Sequence, residues 1–86
     1  MNDAEAIGDL KRLRWRCRRG TRELDALLGG WLDEHAAQAG PPTLAAFDAL
    51  LDQSDPQIWD WLMAYAQPPR ADWASIVGQI RTKAKL

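Results

Sequence analysis

The side chains with the most chemical potential lie close together in Arg12-Leu13-Arg14-Trp15-Arg16-Cys17-Arg18-Arg19-Gly20-Thr21-Arg22-Glu23-Leu24-Asp25. Guanidinium groups, two carboxylates and an indole within one short segment supply planar donors, acceptors and an apolar anchor, which suits recognition of another polypeptide better than bond making. Reactive groups elsewhere are few. His35 directly follows Asp33 and Glu34, and three consecutive helix residues point in different directions, so they do not converge on a metal. Its expected role is that of a cation near a helix C-terminus. Cys17 is the single cysteine; it permits no internal disulfide, fits a reducing compartment, and falls on an apolar stripe where a small buried hydrophobe is expected. Ser54 is claimed by helix capping, and neither it nor Ser75 has a histidine at a suggestive position. No glycine-rich loop follows a strand. The expectation is a chain without its own active site, without a metal and without a stably bound cofactor.

The charges around this segment are sorted. Residues 10 to 22 carry seven bases and no acid, whereas Glu23 to Pro69 carry eight acids and no Lys or Arg, so a net charge of −1 conceals two opposed blocks. Folding either exposes two potentials that would orient a charged partner or interleaves basic and acidic helix faces so that they neutralise each other. From charge alone the interleaved arrangement is favoured. The opening MNDAEAIGDL is acidic, and no apolar stretch approaches the ~20 residues that span a bilayer, so a cytoplasmic protein with no membrane insertion is expected.

Elements that position these residues are legible from apolar periodicity. With 86 residues, 47% hydrophobic and 27% charged, the chain has enough apolar material for one small domain and resembles neither a disordered nor a multidomain protein. Spacings of three and four recur throughout, with no alternating run of strand length, which predicts an all-α fold, a small five-helix bundle. A first helix over roughly 4 to 18 places Ala6, Leu10, Leu13 and Cys17 on one stripe and turns Trp15 away from it. A second over roughly 21 to 38 aligns Leu24, Leu27, Leu28, Trp31 and Leu32; Gly29 and Gly30 inside it suggest a close backbone approach or a bend. Gly40-Pro41-Pro42-Thr43 predicts a third helix capped by Thr43, containing Leu44, Phe47, Leu50 and Leu51. Ser54-Asp55-Pro56-Gln57 opens a fourth, with a stripe of Ile58, Trp61, Leu62 and Tyr65 flanked by Trp59 and Met63, and this helix is expected to be central. After Pro68-Pro69 a fifth carries Trp73, Ile76, Val77, Ile80 and Ala84.

Gly20 interrupts the helical pattern just before Thr21, a fair N-cap, so Arg18 and Arg19 fall at the end of one helix and Glu23 in the first turn of the next. Residues alone leave two readings of this corner: a helix junction with ordinary capping charges, or a docking surface. Here the sequence resembles a known family. Arg19-Gly20-Thr21-Arg22-Glu23 matches the RGxxE motif of the SdhE-type flavinylation factors, the succinate dehydrogenase assembly factor family. Trp15-x-x-x-Arg19, Leu24-Asp25, Phe47-x-x-Leu50-Leu51 and Asp55-Pro56-x-x-x-x-Trp61-Leu62-Met63 resemble it too in order and spacing, covering residues 12 to 66.

The resemblance implies a single helical domain over residues 1–86 that promotes covalent attachment of FAD to the flavoprotein subunit of succinate dehydrogenase and, in bacteria, of related fumarate reductase. In that family's chemistry the bond joins a flavoprotein histidine to the flavin's methyl carbon, so the factor acts by holding its client in the reactive arrangement. It implies partner-binding residues Arg19, Gly20 and Glu23, with Arg12, Trp15 and Asp25 as neighbours. Arg19 would donate to the flavoprotein, Gly20 would let the two backbones approach, and Glu23 would orient Arg19 or pair with the partner. The free protein is expected to be a monomer. The competing class is a small basic-patch nucleic-acid-binding module, against which stand the slightly acidic total and the lack of an identifiable recognition helix; an antitoxin-like interaction protein would differ only in its client.

Overall fold

The computed structural model describes the backbone of residues 3–86 and side chains from Asp9 onward. Five helices follow in order: α1 (Asp3–Arg16), α2 (Arg22–His35), α3 (Pro41–Leu50), α4 (Asp55–Leu62) and α5 (Ala71–Ala84). No strand occurs among the described residues. Leu13, Cys17, Leu24, Leu28, Trp31 and Leu32 are buried as their spacing predicts, and Leu10 and Leu27 are half-buried at the edge. Ala6, on the same stripe of α1, lies outside the described side chains.

The central helix is α5, which packs on α2, α3 and α4; the expectation that α4 is central is corrected. Trp73, Ile76, Val77 and Ile80 of α5 are buried, while Ala84 is exposed. Two aromatic pairs fill the interior: Trp31 stacks on Phe47 at 4.4 Å between ring centres, and Trp61 meets Trp73 at 5.6 Å. Offset aromatic contacts at such distances add to the burial of apolar area. The indole N–H groups are satisfied, Trp31 Nε1 donating to Gln79 Oε1 at 2.8 Å and Trp73 Nε1 to the Ala46 carbonyl at 3.0 Å.

Helix ends explain the remaining departures. α3 is capped by Gly40, with Pro41 and Pro42 in its first turn, and Thr43 is already inside it; a proline is tolerated there because its missing N–H would have no helical partner. Ser54 caps α4 in a reciprocal box with Gln57. α4 then ends at Leu62, and Ala64 adopts a left-handed φ of 63°. Ala64 N donates to the Trp61 carbonyl at 3.2 Å and Tyr65 N to that of Asp60 at 2.8 Å. This pair of bonds is the Schellman arrangement. It swings the chain off the helix axis, so Tyr65 is 76% exposed rather than part of the core stripe. α2 runs on through Gly29 and Gly30, and a β-carbon built at either would meet nothing within 4 Å. No close backbone approach exists there; Gly30 instead borders a cavity of about 210 Å³ between α2 and α5.

Candidate functional site

The sorted charges interleave. From α1, Arg12 donates through both terminal nitrogens to Asp48 at 3.0 and 3.1 Å, Arg16 pairs with Asp48 and Asp52, and Arg14 pairs with Asp33. The basic block thus ties α1 to α3 on one side and α2 on the other. Hydrogen bonding to Arg12, followed by that to Arg16, holds the Asp48 carboxyl below the usual carboxylate range against the opposing effect of burial. Arg12, expected beside the docking surface, is therefore half engaged in internal bracing.

The connector from Cys17 to Thr21 is fixed from both sides. Arg19 N donates to Asp25 Oδ1 at 2.6 Å, which ties it to α2. The Arg19 side chain, 15% exposed, reaches across to the α3–α4 junction. Its Nε donates to Asp55 Oδ1 at 2.6 Å, its Nη1 to the carbonyls of Leu51 at 2.8 Å and Arg16 at 3.2 Å, and its Nη2 to the carbonyl of Gln53 at 2.8 Å. A cation here also faces the C-terminal end of α3, where free carbonyls concentrate negative potential. The resemblance implies that Arg19 donates to a partner; in the free chain its side-chain nitrogens are engaged inside the molecule, because a turn that leaves carbonyls unpaired needs a multivalent donor. Glu23 does not orient it; Asp55 does.

Gly20 turns the connector with φ of +92°, a conformation that side chains other than glycine rarely adopt. A β-carbon there would meet nothing within 4 Å, so the glycine answers to backbone conformation and not to crowding within this chain. Thr21 is the N-cap residue of α2, in extended conformation but without a side-chain capping bond.

What points outward is a different set. Trp15 is 69% exposed, with the Arg18 guanidinium 4.9 Å from its ring centre. Lys11, Arg14, Trp15 and Arg18 border one shallow depression along α1. Glu23 is exposed, and no hydrogen bond or ion pair to it occurs among the described residues. It borders an open groove of about 290 Å³ with Thr21, Leu24, Asp55, Pro56 and Trp59. Asp25 is half-buried and belongs to the bracing. Sequence reasoning missed Asp48 and Asp55 as partners of the arginines: Asp48 lies 36 residues from Arg12 and 32 from Arg16, and Asp55 lies 36 from Arg19, separations that no local pattern reports.

Cys17 is buried, and burial pushes its thiol up to about 11, so at neutral pH it is an inert apolar side chain. No group of three or more metal-ligating side chains occurs among the described residues, and no helix is long and apolar enough to cross a membrane.

Residues 11–84 match the protein family described as "Flavinator of succinate dehydrogenase". The chain belongs to this family. It is 37% identical over 71 residues to the FAD assembly factor SdhE of Coxiella burnetii, covering 83% of this chain and 87% of that protein. To the FAD assembly factor SdhE of Xylella fastidiosa strain 9a5c it is 41% identical over 73 residues, covering 85% and 75% respectively. To that of Legionella pneumophila strain Paris it is 40% identical over 70 residues, 81% of this chain and 87% of the relative. The flavinator match spans α2 to α5 entire and the part of α1 that carries the arginines and Trp15.

Proposed function

We propose that this member of the flavinator family is an assembly factor that binds the flavoprotein subunit of succinate dehydrogenase and promotes covalent attachment of FAD to it. The supporting observation is the split of the RGxxE segment: Arg19 and Asp25 brace the connector through internal hydrogen bonds, while Glu23, and on the preceding segment Trp15 and Arg18, stand exposed. A braced corner carrying an exposed indole and unengaged charges is a preorganised docking surface, which lowers the ordering cost of association. The chain's single thiol is buried, and no group of three or more metal-ligating side chains occurs among the described residues. Its contribution is therefore positional: it stabilises the client arrangement in which the flavin and its acceptor meet. To promote assembly it binds the unfinished client more tightly than the finished one, since equal affinity would shift no equilibrium.

Fumarate reductase flavoprotein is a further proposed client, and the proposed working form is a free monomer in the cytoplasm. A nucleic-acid role draws less support, because four of the seven bases of the block, Arg12, Arg14, Arg16 and Arg19, are matched by internal carboxylates. The test is in-gel flavin fluorescence of the succinate dehydrogenase flavoprotein from cells with and without this chain. Covalent flavin should fall several-fold in its absence and recover on re-expression; unchanged fluorescence would contradict the reading.

A further inference from the structure

We propose that the groove between the first turns of α2 and α4 is a socket for one arginine side chain of the flavoprotein client. This rests on the assembly function above and specifies the partner chemistry at that site. The groove is built from Thr21, Glu23 and Leu24 on one wall and Asp55, Pro56 and Trp59 on the other. Its base is apolar, with Leu24 buried and Trp59 half-buried. Its acidic groups differ in state. Asp55 Oδ1 accepts from Arg19 Nε and is thereby fixed in place, while the Glu23 carboxylate has no hydrogen bond or ion pair among the described residues.

Each alternative occupant fails on chemistry. An anion would face two carboxylates. A purely apolar segment would cover Glu23 and strip its water without replacing it, which is costly for a charge. A lysine brings a compact ammonium that pairs with Glu23 and is drawn to the indole face, but it is a single point charge with neither the planar fork for two parallel bonds to the carboxylate nor a flat face to stack. Arginine meets every feature: its aliphatic stem covers Leu24 and Pro56, its planar fork pairs with the carboxylate, and its face stacks on Trp59. The rigid Arg19–Asp55 pair sets the spacing between the two walls, so the socket exists before the client arrives.

The experiment uses the full chain and the purified flavoprotein subunit of succinate dehydrogenase, with binding measured by calorimetry and a melting curve taken for each variant. Glu23→Gln and Trp59→Leu should each weaken binding about tenfold or more, and Glu23→Gln should lower the melting temperature by no more than a few degrees, because the Glu23 side chain makes no hydrogen bond or ion pair among the described residues and gives up only its first-turn interaction with the α2 dipole. Trp59 is partly buried, so its variant is compared at a temperature where the melt shows it folded. Wild-type binding with either variant within twofold of it overturns the socket and leaves the assembly function standing. No binding by the wild-type chain overturns the assembly function itself. Carbodiimide joins carboxylates to lysine but not to arginine, so a cross-link from Glu23 to a client lysine overturns the arginine assignment, and its absence alongside the two affinity losses supports it.

Discussion

Arg19 and Glu23 belong to one five-residue motif, one α-helical entry apart, yet the molecule uses them in opposite directions. The arginine is 15% exposed and donates to four internal acceptors, at the end of α1, in the α3–α4 connector and at the start of α4. The glutamate side chain is exposed, and its carboxylate accepts no hydrogen bond and forms no ion pair among the described residues. A sequence motif associated with partner binding therefore need not be a list of contacts. On the function proposed above, one part builds the platform and the other is the part offered to the client, and the two should separate when stability and binding are measured side by side.

The sharpest break in that comparison is Arg19→Ala. It leaves the Asp55 carboxylate without its counter-ion and the carbonyls of Leu51 and Gln53 without their donors. Removing one partner from a mostly buried pair costs more than the pair contributes, and a loss of about 2–4 kcal/mol is expected here. For a domain of this size that lowers the melting temperature by roughly 10 °C or more. Arg19→Lys should recover only part, since one ammonium cannot reach three connector acceptors at once. A melting temperature within two degrees of wild type for the alanine variant would show that the clamp is incidental.

Gly20 comes next and tests conformation against contact. With φ at +92° and open space around the missing β-carbon, Gly20→Ala should cost roughly 1–2 kcal/mol through the backbone alone. A bulky residue such as arginine at position 20 would meet the same conformational cost, so Gly20→Arg should lower stability as well as alter the surface offered to the client. Ala64 supplies the mirror test. It sits at a left-handed φ of 63° without being glycine, so Ala64→Gly should raise stability by a few tenths of a kcal/mol up to about 1. Urea melts of the two variants should move in opposite directions; movement in the same direction would mean that something other than backbone conformation decides at one of them.

Acid unfolding probes the bracing beneath the corner. Asp48 is held below its ordinary range in the folded state, so as pH falls the unfolded chain takes up that proton first. Its contribution is complete above the normal carboxylate pKa of about 4 and disappears as pH drops through the lower folded value. Asp48→Asn should therefore cost on the order of 1 kcal/mol at pH 7, given the partly exposed partners, and show a flatter stability profile below about pH 4. An unaltered acid limb would place the acid sensitivity elsewhere.

The fold was largely readable because its signals are local. The apolar spacing in α2 and α5, the Ser54-Gln57 box and the outward turn of Trp15 follow from a helix's own geometry, and all are found. What escaped depends on distance or on a missing cue. Tyr65 continues the stripe of α4 by spacing, and only a left-handed residue at Ala64 removes it; with alanine in place of glycine, the sequence carried no marker of that turn. The inward set of Arg19 escaped because its acceptors are main-chain carbonyls and an aspartate 36 positions on, which no periodicity reports. Charge sorting was visible, but pairing across α1, α2 and α3 is a property of the packed helices.

The smallest stability effect should come from Trp15, and its smallness is the informative part. The ring is 69% exposed and its one aromatic contact is the Arg18 guanidinium at 4.9 Å, so Trp15→Ala removes little buried area and should change stability by less than about 0.5 kcal/mol. An indole left in water on a folded domain gains its value only when something covers it. If the client covers it, the same substitution weakens binding by about tenfold, and raising salt weakens wild-type binding as well, because Lys11 and Arg18 flank the ring. Arg19→Ala, by contrast, should lose binding only in proportion to the loss of folded protein. Titrating both variants against the flavoprotein at a temperature where each is folded separates the two regions: retained affinity in Trp15→Ala with lost affinity in folded Arg19→Ala would reverse their roles, making the clamp the contact and the exposed indole a bystander.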